Sequence, residues 1–248
     1  MLESSLPQTI SLSVVVPVKD EAGNAALLAH EIAAALKNEQ EFEIIFVDDG
    51  SNDGTASELL ALRPALPLRI LVHGRNLGQS RALRTGVRAA KADLIVTLDG
   101  DGQNDPADIP KLIRAFETEA GNPMLGMVAG ERVGRKDTWR KRAASRFGNR
   151  VRRAMLGDNA NDTGCSLKLF KREVFLALPY FDHMHRYLIA LILREGYDIR
   201  FVPVSHRPRG AGRSKYGVWD RALVGLRDIM GVMWLLKRFH GPADIKEL

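Results

Sequence analysis

Apolar runs broken by short polar turns set the rhythm of the first half of this chain. Leu12-Ser13-Val14-Val15-Val16, Phe42-Glu43-Ile44-Ile45-Phe46-Val47 and Asp93-Leu94-Ile95-Val96-Thr97 are short and rich in β-branched residues. Runs of this kind read as buried strands. The pattern predicts strands over 12–17, 42–48, 69–72, 93–98 and 125–130, separated by helical segments at 24–37, 54–62, 79–90 and 107–119. Asp105-Pro106 supplies a cap and first-turn pair before the last of these helices. Further on, the pattern predicts a basic helix over 138–156, a short strand over 165–171, a helix over 185–195, a strand over 198–204 and a final helix over 217–238. Strands alternating with helices predict an α/β fold with a mostly parallel central sheet flanked by helices.

Three of these strands run into acidic turns: Lys19-Asp20-Glu21, Asp48-Asp49-Gly50-Ser51 and Asp99-Gly100-Asp101-Gly102-Gln103. Ligands of open α/β sheets bind at the carboxyl ends of the strands. Asp99 and Asp101, two residues apart, repel one another unless a cation lies between them. Their hard oxygens suit Mg²⁺ or Mn²⁺, which bridge to phosphates. Gly100 lets backbone approach a ligand. The plainer reading of the same residues is a polar turn ahead of a helix cap.

Composition narrows the class. A chain of 248 residues with 45% hydrophobic side chains can bury a substantial core as one α/β unit. The single cysteine, Cys165, excludes an intrachain disulfide and fits a reducing compartment. No secretory signal, internal repeat or linker is visible, and no window of 18 apolar residues marks a spanning helix.

The net charge is +6, and its excess is local. Between Arg132 and Arg153 lie ten Lys and Arg residues against Asp137 alone. A solvated helix face, an anionic membrane surface and the phosphates of a substrate are the competing readings. No helix-turn-helix or RNA-binding signature accompanies the run, so nucleic acid is not an expected partner.

Four motifs then stand in order: Pro17-Val18-Lys19-Asp20-Glu21, Val47-Asp48-Asp49-Gly50-Ser51, the Asp99/Asp101/Gln103 triplet, and Arg209-Gly210-Ala211-Gly212-Arg213-Ser214-Lys215-Tyr216. Together they resemble an inverting family-2 glycosyltransferase of the GT-A (Rossmann-like) fold, of the dolichol-phosphate or polyprenyl-phosphate mannose synthase type. The resemblance covers about residues 11–216 and implies a catalytic domain over 1–216, with a C-terminal amphipathic helix and tail over 217–248. It implies metal-dependent transfer of a hexose from a nucleotide sugar, of GDP-mannose or UDP-glucose type, to a polyprenyl phosphate.

By position, the resemblance places Pro17, Val18, Glu21, Val47 and Asp49 around the nucleotide, and Asp99, Asp101 and Gln103 on the metal. It places Arg132, Arg140, Lys141, Arg142 and Ser145 near donor or acceptor phosphates, and makes Arg209, Ser214 and Lys215 a clamp from a C-terminal loop. Val18, Lys19 and Asp20 depart from the family's P-x-x-N-E turn, so base specificity does not follow. Gly100 replaces a frequent alanine.

The chemistry is self-consistent. A leaving diphosphate needs its charge neutralised, which a metal on Asp101 and fixed charges at Arg209 and Lys215 would supply. Gly210 and Gly212 suit a loop that closes. A lipid phosphate is already ionised and needs no general base. Transfer to a saccharide or soluble hydroxyl would need one, for which Asp162 is the candidate. A non-catalytic nucleotide- or lipid-binding module is a third reading.

Other residues take plainer roles. His183 and His185, with Asp182, read as structural or acceptor-side groups, Cys165 as a small buried side chain, and Asn76–Ser80 as a turn and helix cap; His73 and His206 have no assigned role. In the final helix Val218, Trp219, Ala222, Leu223, Leu226, Ile229, Met230, Met233 and Trp234 recur at helical spacing. The stripe either packs on the core or lies in a bilayer interface. Without spanning helices, anchoring would be peripheral, on the cytoplasmic face of a membrane, or through an integral membrane partner.

Overall fold

The computed structural model describes residues 11–39, 41–133, 152, 155–158, 162–207, 218–239 and 241. Its strands are β1 Leu12–Val18, β2 Phe42–Asp48, β3 Leu68–Val72, β4 Leu94–Thr97, β5 Leu125–Arg132, β6 Lys168–Lys171 and β7 Asp198–Val204. The helices are α1 Asn24–Ala35, α2 Thr55–Leu62, α3 Gln79–Ala89, α4 Ile109–Thr118, α5 Arg172–Ala177, α6 Leu188–Arg194 and α7 Val218–Lys237. Short 3₁₀ turns at Pro106–Asp108 and Met184–Arg186 precede α4 and α6. The sequence pattern did not predict α5. Of the basic helix expected over 138–156, only residues 152, 155 and 156 are described, and they are helical.

The seven strands form one sheet in the order β3-β2-β1-β4-β6-β5-β7. Neighbours pair in parallel except at β6, which is antiparallel to both β4 and β5. Alternate residues of each strand feed opposite faces. Val14, Val16, Ile44 and Phe46 pack with α1, α2 and α4, whereas Val15, Ile45 and Val47 pack with α3, α5, α6 and α7. Burial on both faces is why the central strands read as unbroken apolar runs.

The reversal of β6 positions the site. It places the amino end of β6 at the same edge as the carboxyl end of β4, with Thr97 opposite Lys168. Cys165, Ser166 and Lys168 therefore stand beside the Asp99 turn.

Gly86 shows how closely α3 rides on the sheet. A Cβ there would lie 2.3 Å from Val15 Cγ1 and 3.1 Å from Val47 Cγ2. Alanine would gain up to about 1 kcal/mol of helix propensity, but overpacking of a sheet–helix contact costs about 1–3 kcal/mol. Gly86→Ala is therefore expected to destabilise the fold, read as a lowered midpoint in urea denaturation. An unchanged or raised midpoint would show that α3 can lift from the sheet without cost.

Candidate active site

The turn after β4 is built on a close backbone approach. A Cβ on Gly100 would fall 2.5 Å from Val18 Cγ1 and 3.1 Å from the Pro17 carbonyl, so the turn lies flush on the end of β1. Asp101 Oδ1 accepts the Gln103 N–H at 3.1 Å, closing the turn. The Gln103 carbonyl accepts the Arg207 N–H at 2.9 Å. Asn104, which the sequence reading passed over, ties the turn to the start of β6. Its Oδ1 accepts the Ser166 hydroxyl at 2.9 Å and the Asp99 N–H at 3.4 Å.

A cleft of about 560 Å³ opens beside this turn. Pro17 and Asp99 line one side, Cys165, Ser166 and Lys168 another, and His185, Arg186 and Tyr187 a third. Burial pushes the Asp99 carboxyl above its ordinary value, and the charge of Asp101 adds to this against the hydrogen bond from Ser166. Gln79 Nε2 donates to Asp99 Oδ1 at 2.7 Å. A divalent cation would reverse the effect of burial and of like charge on the two acids.

Lys168 is a buried cation of the cleft, 4% exposed, with its ammonium donating to the Cys165 carbonyl. Burial lowers its pKa, while the nearby Cys165 thiol and the carboxylates of Asp99 and Asp162 oppose the shift. A lone charge in Leu167-Lys168-Leu169-Phe170 was its only signal in the sequence. Arg152 also lines the cleft, paired with Asp158 through Nη1 at 2.5 Å and Nη2 at 2.8 Å.

Several expected residues are already engaged within the fold. The Val18 and Val47 side chains lie in the core rather than in an open pocket, because inward strand positions fill the helix–sheet interface. Asp49 is buried, and its carboxylate accepts the Leu77 and Gly78 N–H groups, each at 2.8 Å, and faces His73 Nδ1 at 2.8 Å. It thus holds the 74–78 loop, and it gives His73 a partner. Glu21 Oε2 accepts from Asn24 at the start of α1. Gln103 is engaged through its backbone.

Arg132 is pinned to Asp162, with Nε–Oδ2 at 2.6 Å and Nη2–Oδ1 at 2.7 Å. That bond, working against burial, raises the Arg132 pKa. Asp162 also accepts the Gly164 N–H at 3.2 Å. A carboxylate so committed is a poor general base. Arg140, Lys141, Arg142, Ser145, Arg209, Ser214 and Lys215 lie outside the described residues. Arg207 anchors the chain just before the Arg209 motif, bonding Glu31 at 2.8 and 2.9 Å and Asp105 at 2.7 Å.

His185 is pushed down to about 3, first by burial and then by the charges of Arg186, Lys168 and His183. The unfolded chain takes up this proton near 6.5, whereas the fold resists it down to about 3. Stability from this group is complete above pH 6.5 and falls as pH drops towards 3. His185→Gln should remove up to one proton per molecule from the acid dependence of unfolding free energy, measured by urea titration at stepped pH. An identical pH slope in the variant would refute the assignment.

Residues 13–178 match the profile of glycosyl transferase family 2. The chain belongs to that family. It is 33% identical over 242 residues to a dodecaprenyl-phosphate galacturonate synthase of Rhizobium johnstonii, covering 95% of this chain and 70% of the relative. It is 36% identical over 213 residues to an undecaprenyl-phosphate 4-deoxy-4-formamido-L-arabinose transferase of Edwardsiella ictaluri, covering 84% of this chain and 63% of that relative. Glucosyl-3-phosphoglycerate synthase from Mycobacterium tuberculosis, solved with Mn²⁺, UDP-glucose and glycerol 3-phosphate, superposes with a TM-score of 0.65 at 20% identity, over 95% of this chain and 82% of that one. The same enzyme has also been solved with Mg²⁺ and UDP. At that identity the likeness concerns the fold, and this family-2 glycosyltransferase has the GT-A architecture expected from its motifs.

Proposed function

We propose that this chain transfers a sugar from a nucleoside-diphosphate donor to a polyprenyl phosphate, with inversion at the anomeric carbon. The observation that carries the reading is the state of Asp162. Asp162, the carboxylate the sequence offered to deprotonate a hydroxyl acceptor, is bound to Arg132, whereas an acceptor phosphate needs only positioning and charge. The relatives named for dodecaprenyl- and undecaprenyl-phosphate products point the same way. Their sugars, a galacturonate and a formamido-arabinose, differ from the mannose or glucose first expected, so the donor is left to a panel.

Asp99 and Asp101 are the residues that would hold Mg²⁺ or Mn²⁺. Both offer hard oxygens at a turn where two like charges meet. Among the described residues no group of three His, Cys, Asp or Glu side chains forms a closed metal site, so phosphate oxygens and water would complete the shell. When bound, the ion supplies charge neutralisation to the leaving diphosphate. The chain's own part is to orient Asp99 through Gln79, to bury Lys168 against the cleft, and to present the Arg209, Ser214 and Lys215 clamp from a segment anchored at Arg207.

The reading places the enzyme peripherally on the cytoplasmic face of a membrane. Among the described residues no helix is long and apolar enough to cross one. In α7, Val232 is buried and Ile229, Met233 and Leu236 pack against the core, while Met230 and Trp234 are 56% and 59% exposed. The stripe members whose side chains are described, Ile229, Met230, Met233 and Trp234, are thus divided between core and surface. Arg238 stacks on Trp234, 5.6 Å from the ring centroid, an arrangement that suits an anionic interface.

The test offers UDP-galacturonate, UDP-glucose and GDP-mannose to the purified chain with Mg²⁺ and vesicles carrying undecaprenyl phosphate. Lipid-linked sugar is the expected product, with the protein co-floating with the vesicles at low salt. Sugar appearing on a soluble hydroxyl acceptor instead, or donor binding without any transfer, would overturn the reading.

A further inference from the structure

The first turn of α3 holds both walls of the cleft at once. Gln79 bonds Asp99, and the next residue, Ser80, bonds His185. Ser80 is fully buried. Its hydroxyl lies 2.8 Å from His185 Nδ1 and accepts the His185 backbone N–H at 3.3 Å. A serine hydroxyl has one proton to donate. The described residues offer no other acceptor for it, and leaving a buried hydroxyl proton unpaired is costly. The proton therefore goes to Nδ1, and the imidazole hydrogen sits on Nε2. Nε2 has no partner among the described residues, and the ring lines the cleft beside Lys168 and Asp99.

We propose that His185 Nε2–H is a sugar-reading hydrogen-bond donor, aimed at an oxygen substituent of the transferred sugar and held in that tautomer by Ser80. The inference rests on the glycosyl-transfer reading and assigns a subsite within it. With the diphosphate at the acid turn, the group that reaches the space between Asp99, Lys168 and His185 is the sugar. The ring is neutral at working pH, because burial disfavours the imidazolium. A neutral donor discriminates by geometry and by the cost of leaving it unpaired, which suits recognition of one hydroxyl or carbonyl oxygen. His183 beside it is bound at 3.0 Å to Asp228 of α7, so the two histidines, similar in sequence, have separate roles.

The discriminating measurement compares the intact donor with its own nucleoside diphosphate. UDP-galacturonate, UDP-glucose and GDP-mannose are titrated calorimetrically, each against UDP or GDP, into the wild type, His185→Leu, His185→Gln and Ser80→Ala in the presence of Mg²⁺. His185→Leu should weaken the sugar nucleotide about tenfold, on the scale of one hydrogen bond, and leave the diphosphate within about twofold. Glutamine, whose amide N–H can take the place of Nε2–H, should restore most of the loss. Ser80→Ala, which frees the tautomer, should fall between, and serves as the second variant if leucine perturbs folding by circular dichroism. Equal losses for donor and diphosphate, or no loss, overturn the inference alone. A wild type that binds none of the panel overturns the glycosyl-transfer reading and this subsite with it.

Discussion

Asp101→Ala is expected to abolish sugar transfer, and EDTA to do the same to the unaltered chain. The expected loss is a thousandfold or more, because charge neutralisation by a bound divalent ion contributes several kcal/mol and each 1.4 kcal/mol is about tenfold in rate. The structural cost of the substitution is small by comparison. Asp101 makes a turn-closing bond to the Gln103 N–H, worth about 1 kcal/mol, so the melting temperature should move by only a few degrees. Asp101→Asn keeps the shape of the turn and removes the charge, and should be nearly as inactive. Initial rates of lipid-linked sugar formation, with and without EDTA and with Mn²⁺ or Mg²⁺ added back, decide the matter. Full turnover in EDTA would remove the metal from the scheme.

Arg209→Ala or Lys215→Ala is expected to lower transfer by about a hundredfold, the scale on which a preorganised charge at a developing anion contributes. The motivation is the anchoring upstream of the motif. Arg207, two residues before Arg209, is bound to Glu31, Asp105 and the Gln103 carbonyl, and so itself sits at the acid turn. Loss should appear in kcat, since charges that meet the leaving diphosphate act most strongly in the transition state. Steady-state rates across donor concentration separate this from a loss of binding. Near-normal kcat in both variants would reduce the motif to a surface turn.

Much of the fold was legible because local rules and global packing agree in it. The runs at 12–17, 42–48 and 93–98 became β1, β2 and β4 with ends shifted by a residue at most. Asp105 accepts the Ala107 N–H and caps the turn at Pro106, as its chemistry predicts. The short strand expected over 165–171 was half right: pairing begins at Lys168, since the preceding residues turn into the cleft wall. Helix α5 was missed because Arg172–Ala177 spans less than two turns, too short for a 3.6-residue period to register.

The site divides along the same line. The sequence by itself determined the chemistry that lies within one turn of chain: two aspartates around Gly100, the acidic ends of β1 and β2, and the apolar runs that carry them to one sheet edge. Only the tertiary structure decided what faces those acids. The antiparallel insertion of β6 brings Lys168 opposite Thr97, α3 reaches His185 across 105 residues through Ser80, and Arg132 pairs with Asp162. Side-chain periodicity reports which face of a strand is buried, and it carries no information about which distant strand becomes its neighbour or in which direction it runs. That choice belongs to packing between elements far apart in the chain.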